Sequence, residues 1–299
     1  MDSLAIVLPA HESRFDGVRR DAILTAHATQ LARACSSSST RVKVFAANSM
    51  PLHELLERIA AHRPARILIE HAPLAYERSA VPVAVASWGK AHVVPVLLLA
   101  HREYGHACDP PGTAVAKALL AAAPLFASAT RVLCHESVWA RVVGGAMPSV
   151  VERLELLDDW IVVEPKAVVP VDAAAPVLVL ADAVPPTALE RVLHALRRDR
   201  VAFRCLTVQT VEELPPALCA ASAVLVPASR REGEEMLWAR TAAAFGRSVL
   251  RIARDGSHER VNRAEHSNWT AIAHCILSDE ADASATSFEE HVEKPSVGI

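Results

Sequence analysis

Short apolar runs along this chain alternate with longer stretches in which apolar residues recur three and four apart, so strand and helix signals take turns. Leu4 to Pro9 (LAIVLP) reads as a buried strand stopped by proline. Residues 17–35 carry Val18, Ala22, Leu24, Ala28, Leu31 and Ala32 at helical spacing. Arg41 to Ala46 alternates as a strand does, and Pro51 to Ala61 puts Leu52, Leu55, Leu56 and Ile59 on one stripe behind a first-turn proline. Arg66 to Glu70 (RILIE), Val93 to Ala100 and Thr130 to Cys134 predict three more strands. Val81 to His92 and Ala114 to Ala127 predict helices between them, the second bent or ended by Pro124.

After Trp160 the rhythm stops. Residues 161–176 (IVVEPKAVVPVDAAAP) hold three prolines and no helical period, as a connection between two units would. The alternation then restarts, with strands at Val177 to Ala181, Phe203 to Val208, Ala223 to Pro227 and Ser248 to Ile252. Helices are predicted at Pro186 to Arg198, Val211 to Ala220, Glu234 to Phe245 and Trp269 to Leu277. Strands separated by helices of this length require crossovers and a mostly parallel sheet covered on both faces. The fold class expected is α/β, with two Rossmann-like doubly wound domains, residues 1–165 and 176–277, facing each other across a cleft. The polar, acidic tail 278–299 is expected to be disordered.

Composition narrows the partners. The length of 299 residues suits two domains at roughly 150 residues each. A formal charge of −3 argues against a basic nucleic-acid surface, and 52% hydrophobic residues exclude a largely disordered chain. No run approaches the roughly 20 apolar residues of a membrane span, so no transmembrane segment is expected, which leaves room for peripheral membrane contact or a protein partner. The N-terminus lacks a basic lead-in and a cleavage site, and six scattered cysteines form no CxxC pair, so reduced thiols and a cytoplasmic location are expected.

In open parallel sheets, ligands bind beyond the carboxyl ends of the strands. There the chain places His11 after the first strand, His101, Glu103 and Tyr104 after the fourth, and His135, Glu136 and Ser137 after the fifth. Arg230, Arg231, Glu232 and Gly233 follow the AVLVP strand. His101, His106 and Cys108 match no zinc spacing, and no metal site is expected. Cys134 and His135 are adjacent on an extended chain and point to opposite faces, which excludes a nucleophile–base pair. Arg230 and Arg231, with Arg247, Arg251 and Arg254, are the candidates for phosphate contact.

The segments ARILIEHAPLAYERS, VVPVLLLAHREYG and SATRVLCHESVWARV resemble the acceptor side of GT-B glycosyltransferases, in particular the family 4-like group. SAVLVPASRREGEEMLWARTAAAFGRSVL is similar to the donor side of the same family. The resemblance implies a GT-B-like fold, with an acceptor-side first domain and a donor-side second domain. It implies transfer of a sugar from a nucleotide-sugar, as co-substrate, to a glycan, lipid-linked or protein acceptor without a cofactor or metal. It gives catalytic roles to His101, Glu103 and Glu232, and substrate contacts to His11, Tyr104, Ser137, Arg230, Arg231 and Gly233. The family's second donor carboxylate falls at Arg240, followed by Thr241. The alternative is therefore a GT-B scaffold that has lost catalysis and serves as a binding or regulatory partner.

Overall fold

Near-continuous apolar runs build the first sheet because both of its faces are covered, which demands strands apolar on each side. The computed structural model describes residues 3–9, 18–36, 40–72, 80–101, 117–157, 160–165, 170–181, 184–208, 211–227, 234–252, 258–261 and 269–278. Six parallel strands, β1 (Ser3–Leu8), β2 (Arg41–Ala46), β3 (Arg66–His71), β4 (Val96–Ala100), β5 (Arg131–Cys134) and β6 (Leu154–Leu156), pair in the order β2-β1-β3-β4-β5-β6. Their connections include α1 (Val18–Ser36), α2 (Leu52–His62), α3 (Ala80–Ala91), α4 (Ala123–Ser128) and α5 (Ser137–Ala146). Ile6, Leu68, Leu99 and Leu133 share one core with Ile23, Ala28 and Leu31 of α1. Their strand neighbours Val7, Ile69, Leu98 and Val132 join a second core with Leu55 and Ile59 of α2, Val85 of α3 and Phe126 of α4. The chain leaves β1 for β2 and returns past β1 to β3, which makes the β1–β3 edge the point where strand order reverses.

The second sheet repeats that plan. Its strands β7 (Val177–Leu180), β8 (Phe203–Leu206), β9 (Ala223–Pro227), β10 (Ser248–Ile252) and β11 (His258–Val261) lie in the order β11-β10-β9-β7-β8. All pairs are parallel except β10 with β11. The helices are α6 (Pro186–Arg198), α7 (Leu214–Cys219), α8 (Glu234–Ala244) and α9 (Trp269–Leu277). β1 and β9 therefore belong to different sheets.

The halves are packed together. Leu178, Leu180, Val224 and Val226 of the second sheet belong to the same hydrophobic cluster as Leu4, Ile6, Leu97 and Leu99 of the first, with Trp160 and Val162 of the connection. The last helix, α9, packs against α1. Arg131 at the head of β5 ties it down, donating to Glu155 with two nitrogens and to the Cys275 carbonyl oxygen at 2.8 Å.

Several elements differ from the sequence reading. The strand begun at Val93 starts at Val96, because Val93 has φ 58° and Pro95 has no N–H to pair. The helix reaching Ala127 is interrupted at Ala122, and α4 restarts with Pro124 in its first turn. The helix at Val211 to Ala220 becomes a 3-10 turn (Val211–Glu213) followed by α7, which begins at Leu214-Pro215-Pro216. Helix α5, the three-residue β6 and the antiparallel β11 were not anticipated. The second sheet holds five strands where four were expected. The tail beyond Ser278 lies outside the described residues. No helix among the described residues is long and apolar enough to cross a membrane.

Candidate functional site

On the face of the first sheet that α1 covers, three apolar rows end in ionisable side chains. Strand alternation puts Glu70 beside Leu68, His101 beyond Leu99 and His135 beyond Leu133, all toward that face. On α1, His27 sits three residues after Leu24 and four before Leu31, on the buried side of the helix. The register of β3 with β4 and of β4 with β5 brings these carboxyl-terminal positions together. The His101 amide donates to the His71 carbonyl at 2.8 Å, which carries the ladder one residue past β4.

The four side chains form one connected network. Glu70 Oε1 lies 2.9 Å from His27 Nδ1, and Glu70 Oε2 bonds His101 Nε2. His27 Nε2 lies 2.9 Å from His135 Nε2. Glu70 and His27 are 0% exposed, His101 2% and His135 9%. Trp160 and Trp269 stand edge-on to the His27 ring, with centroids 4.7 and 5.1 Å away. A wholly buried carboxylate is costly unless it is paired and hydrogen-bonded. Burial pushes the Glu70 carboxyl up, but the His27 and His101 imidazoles facing it outweigh that and hold it near 2, so Glu70 is ionised. Burial is also the main influence on His27 and lowers its imidazole, against the pull of Glu70. With Glu70 ionised, a neutral His27 donates from Nδ1 to the carboxylate, and its Nε2 accepts from His135. His71, next to Glu70 but on the opposite face, is held down at about 4 by burial and packs edge-on to Phe126.

His101 is the one sequence-predicted catalytic residue whose side chain is described. It stands in this network, bonded to Glu70. Ser137 opens α5, and its side chain is outside the described residues. His11, Glu103, Tyr104, Arg230, Arg231, Glu232 and Gly233 also lie outside them, as do His106, Cys108 and Arg254. Cys134 faces the second core, away from His135, and burial pushes its thiol up, in keeping with an inert core cysteine.

Two arginines proposed for phosphate are used within the fold. Arg247 is buried and donates to the Ala221 and Cys219 carbonyls at the end of α7. Arg251 pairs with Glu259 at 3.1 Å across β10 and β11. Thr241 is buried: it accepts the Val162 N–H at 3.1 Å and donates to the Leu237 carbonyl at 2.8 Å. It joins α8 to the connection between the two sheets.

His135 stands among the strand-end positions singled out from the sequence, whereas Glu70 and His27 do not. Two signals could have found them: an acid closing the otherwise apolar run RILIE, and a histidine on the apolar stripe of a helix.

No family model and no curated protein matches the chain. Among solved structures it is similar to Arabidopsis thaliana UGT89C1 complexed with UDP-L-rhamnose (TM-score 0.39, 10% identity, 97% of this chain and 92% of that one). It is also similar to the ligand-free substrate-binding protein CD0873 of Clostridium difficile (0.29, 12%, 94% and 86%). A third likeness is to the transcription regulator CcpA of Lactococcus lactis (0.28, 9%, 84% and 78%). At these scores the likeness carries no functional meaning, and the chain's own residues must supply it.

Proposed function

We propose that the chain is a glycosyltransferase-like protein that moves a sugar from a nucleotide-sugar to an acceptor at the carboxyl ends of its parallel strands. The observation that carries this reading is the buried His101–Glu70–His27–His135 network at the ends of β3, β4 and β5. Ionised Glu70 orients the His101 ring, as a carboxylate orients a working imidazole in many active sites. In this reading His101 lines the reaction centre, beside Glu103 and Tyr104. Glu232 positions the donor sugar, Gly233 allows close backbone approach, and Arg230 and Arg231 meet the diphosphate in place of a metal. His11 and Ser137 complete the substrate contacts.

Calorimetric titration with UDP-, GDP- and dTDP-sugars tests the reading. One donor is expected to bind, and Glu232→Ala to abolish binding. Silence across the panel from a folded protein would overturn it.

A second reading, a scaffold without catalysis, is favoured by Thr241. The position following Arg240 is taken up by two internal hydrogen bonds. Arginine cannot accept a hydrogen bond from a ribose hydroxyl. Donor binding without turnover in the same titrations, followed by product analysis, would support this second reading.

A further inference from the structure

We propose that His27, Glu70 and His101 form a binding site for one divalent transition ion of the zinc class, with His135 holding His27 in the ligating tautomer. The inference concerns the donor atoms themselves and stands or falls apart from sugar transfer.

The donors come from three separate elements, α1, β3 and the end of β4, and one ligand atom from each lies within 4.8 Å of the others. Around an ion with ligands at about 2.0–2.2 Å, such atoms need only small side-chain rotations to converge. Two imidazoles and a carboxylate suit zinc and its first-row neighbours, whereas calcium and magnesium prefer oxygen alone.

The alternative role, a purely structural polar network, fits this site less well. A carboxylate with no exposure is faced by two imidazole rings, and a third ring is hydrogen-bonded to one of these, Nε2 to Nε2 at 2.9 Å. Replacing such a buried charged group with apolar side chains is often neutral or stabilising, so stability alone does not explain it. An ion changes the chemistry of each contact. Glu70, His27 Nδ1 and His101 Nε2 become ligands, and the charge of the carboxylate is offset where it lies. Binding displaces onto solvent whichever protons those ring nitrogens carry.

The surroundings match that of a bound ion. A ligating histidine almost always donates its other ring N–H to a fixed acceptor. Once Nδ1 gives up its proton to bind the ion, His27 carries its N–H on Nε2, and His135 Nε2, 2.9 Å away, turns from donor to acceptor. Trp160 and Trp269 enclose His27 with apolar rings, which shield the site from water. Three protein ligands leave one tetrahedral position for water or an exogenous group. The ion would then fix the His101 ring and would not serve as counterion to a diphosphate.

The test uses the full chain, stripped with a chelator and titrated with zinc and with cobalt(II). One zinc per chain is expected after desalting, with a raised thermal midpoint. The cobalt spectrum should show tetrahedral visible bands and no sulfur charge-transfer band, because the site holds no cysteine. Glu70→Gln, which keeps the side-chain shape, and His27→Gln should each weaken zinc at least a hundredfold, and His135→Ala about tenfold or more. His53→Ala, at an exposed position on α2, should change nothing. A wild-type chain that takes up no zinc overturns the proposal without recourse to variants. So does a cysteine signature in the cobalt spectrum, or undiminished binding in folded Glu70→Gln.

Discussion

The two sheets share a strand plan but not a depth of burial. In the first, every residue of β1, β3 and β4 is buried, and each face has its own core. In the second, β8 has no buried residue, β10 has one, and α6 has none along its whole length. The second sheet adds its apolar residues to a cluster that the first sheet and α1 also build. The first half therefore carries most of the cohesion, and it is there that the charged His–Glu network is found. A fold can hold a costly polar group where the surrounding core is deep.

Core truncation gives the widest separation between the halves. Phe126→Ala, in the second core of the first half, should cost about 3–5 kcal/mol in urea unfolding, whereas Leu193→Ala on α6 should cost about 1 or less. Equal losses would break the contrast. Acid should act on the first half as well. The buried His71 imidazole lies at about 4 in the fold against 6.5 unfolded, so between those values the folded chain binds fewer protons. Stability is then full above pH 6.5 and falls toward pH 4, by up to about 3 kcal/mol. His62, lowered chiefly by burial and bonded to the Leu4 carbonyl, adds to the same trend. His71→Phe should flatten the slope when stability is followed against pH in chelator.

Smaller effects sharpen how the halves meet. Thr241→Val leaves the Val162 N–H without its acceptor and should cost about 1–3 kcal/mol. A rise in stability would mean that the link between α8 and the connection is dispensable. Gly89→Ala should cost about 1–3 kcal/mol by crowding α3 against β4, because a Cβ there would lie 2.5 Å from Val96 Cγ2 and 3.2 Å from the Val94 carbonyl oxygen. An unfolding curve unchanged by that methyl would show the first half to be looser than its burial indicates.

Much of the element order was legible because long apolar periodicity survives tertiary context: α6, β2, β9, β10 and α9 fall where the pattern put them. What escaped was short or polar. β6 is only Leu-Glu-Leu, β11 reads His-Glu-Arg-Val, and α5 ends through two glycines. The site was legible at His101 and His135, since a histidine after an apolar strand invites attention. Glu70 was hidden inside the strand that ends with it, and His27 inside a helix stripe read only for its apolar members. Their meeting depends on strand register, which composition and local period do not encode.

The claim that this network is kept for chemistry and not for stability is open to one direct measurement. In His27→Leu/Glu70→Leu/His101→Leu the three proposed ligands are exchanged for apolar side chains. Urea unfolding in chelator, paired with zinc titration, should give stability unchanged or raised by about 1–4 kcal/mol and no zinc uptake. A variant several kcal/mol less stable than the metal-free wild type, or one that still takes up one zinc per chain, would contradict the claim.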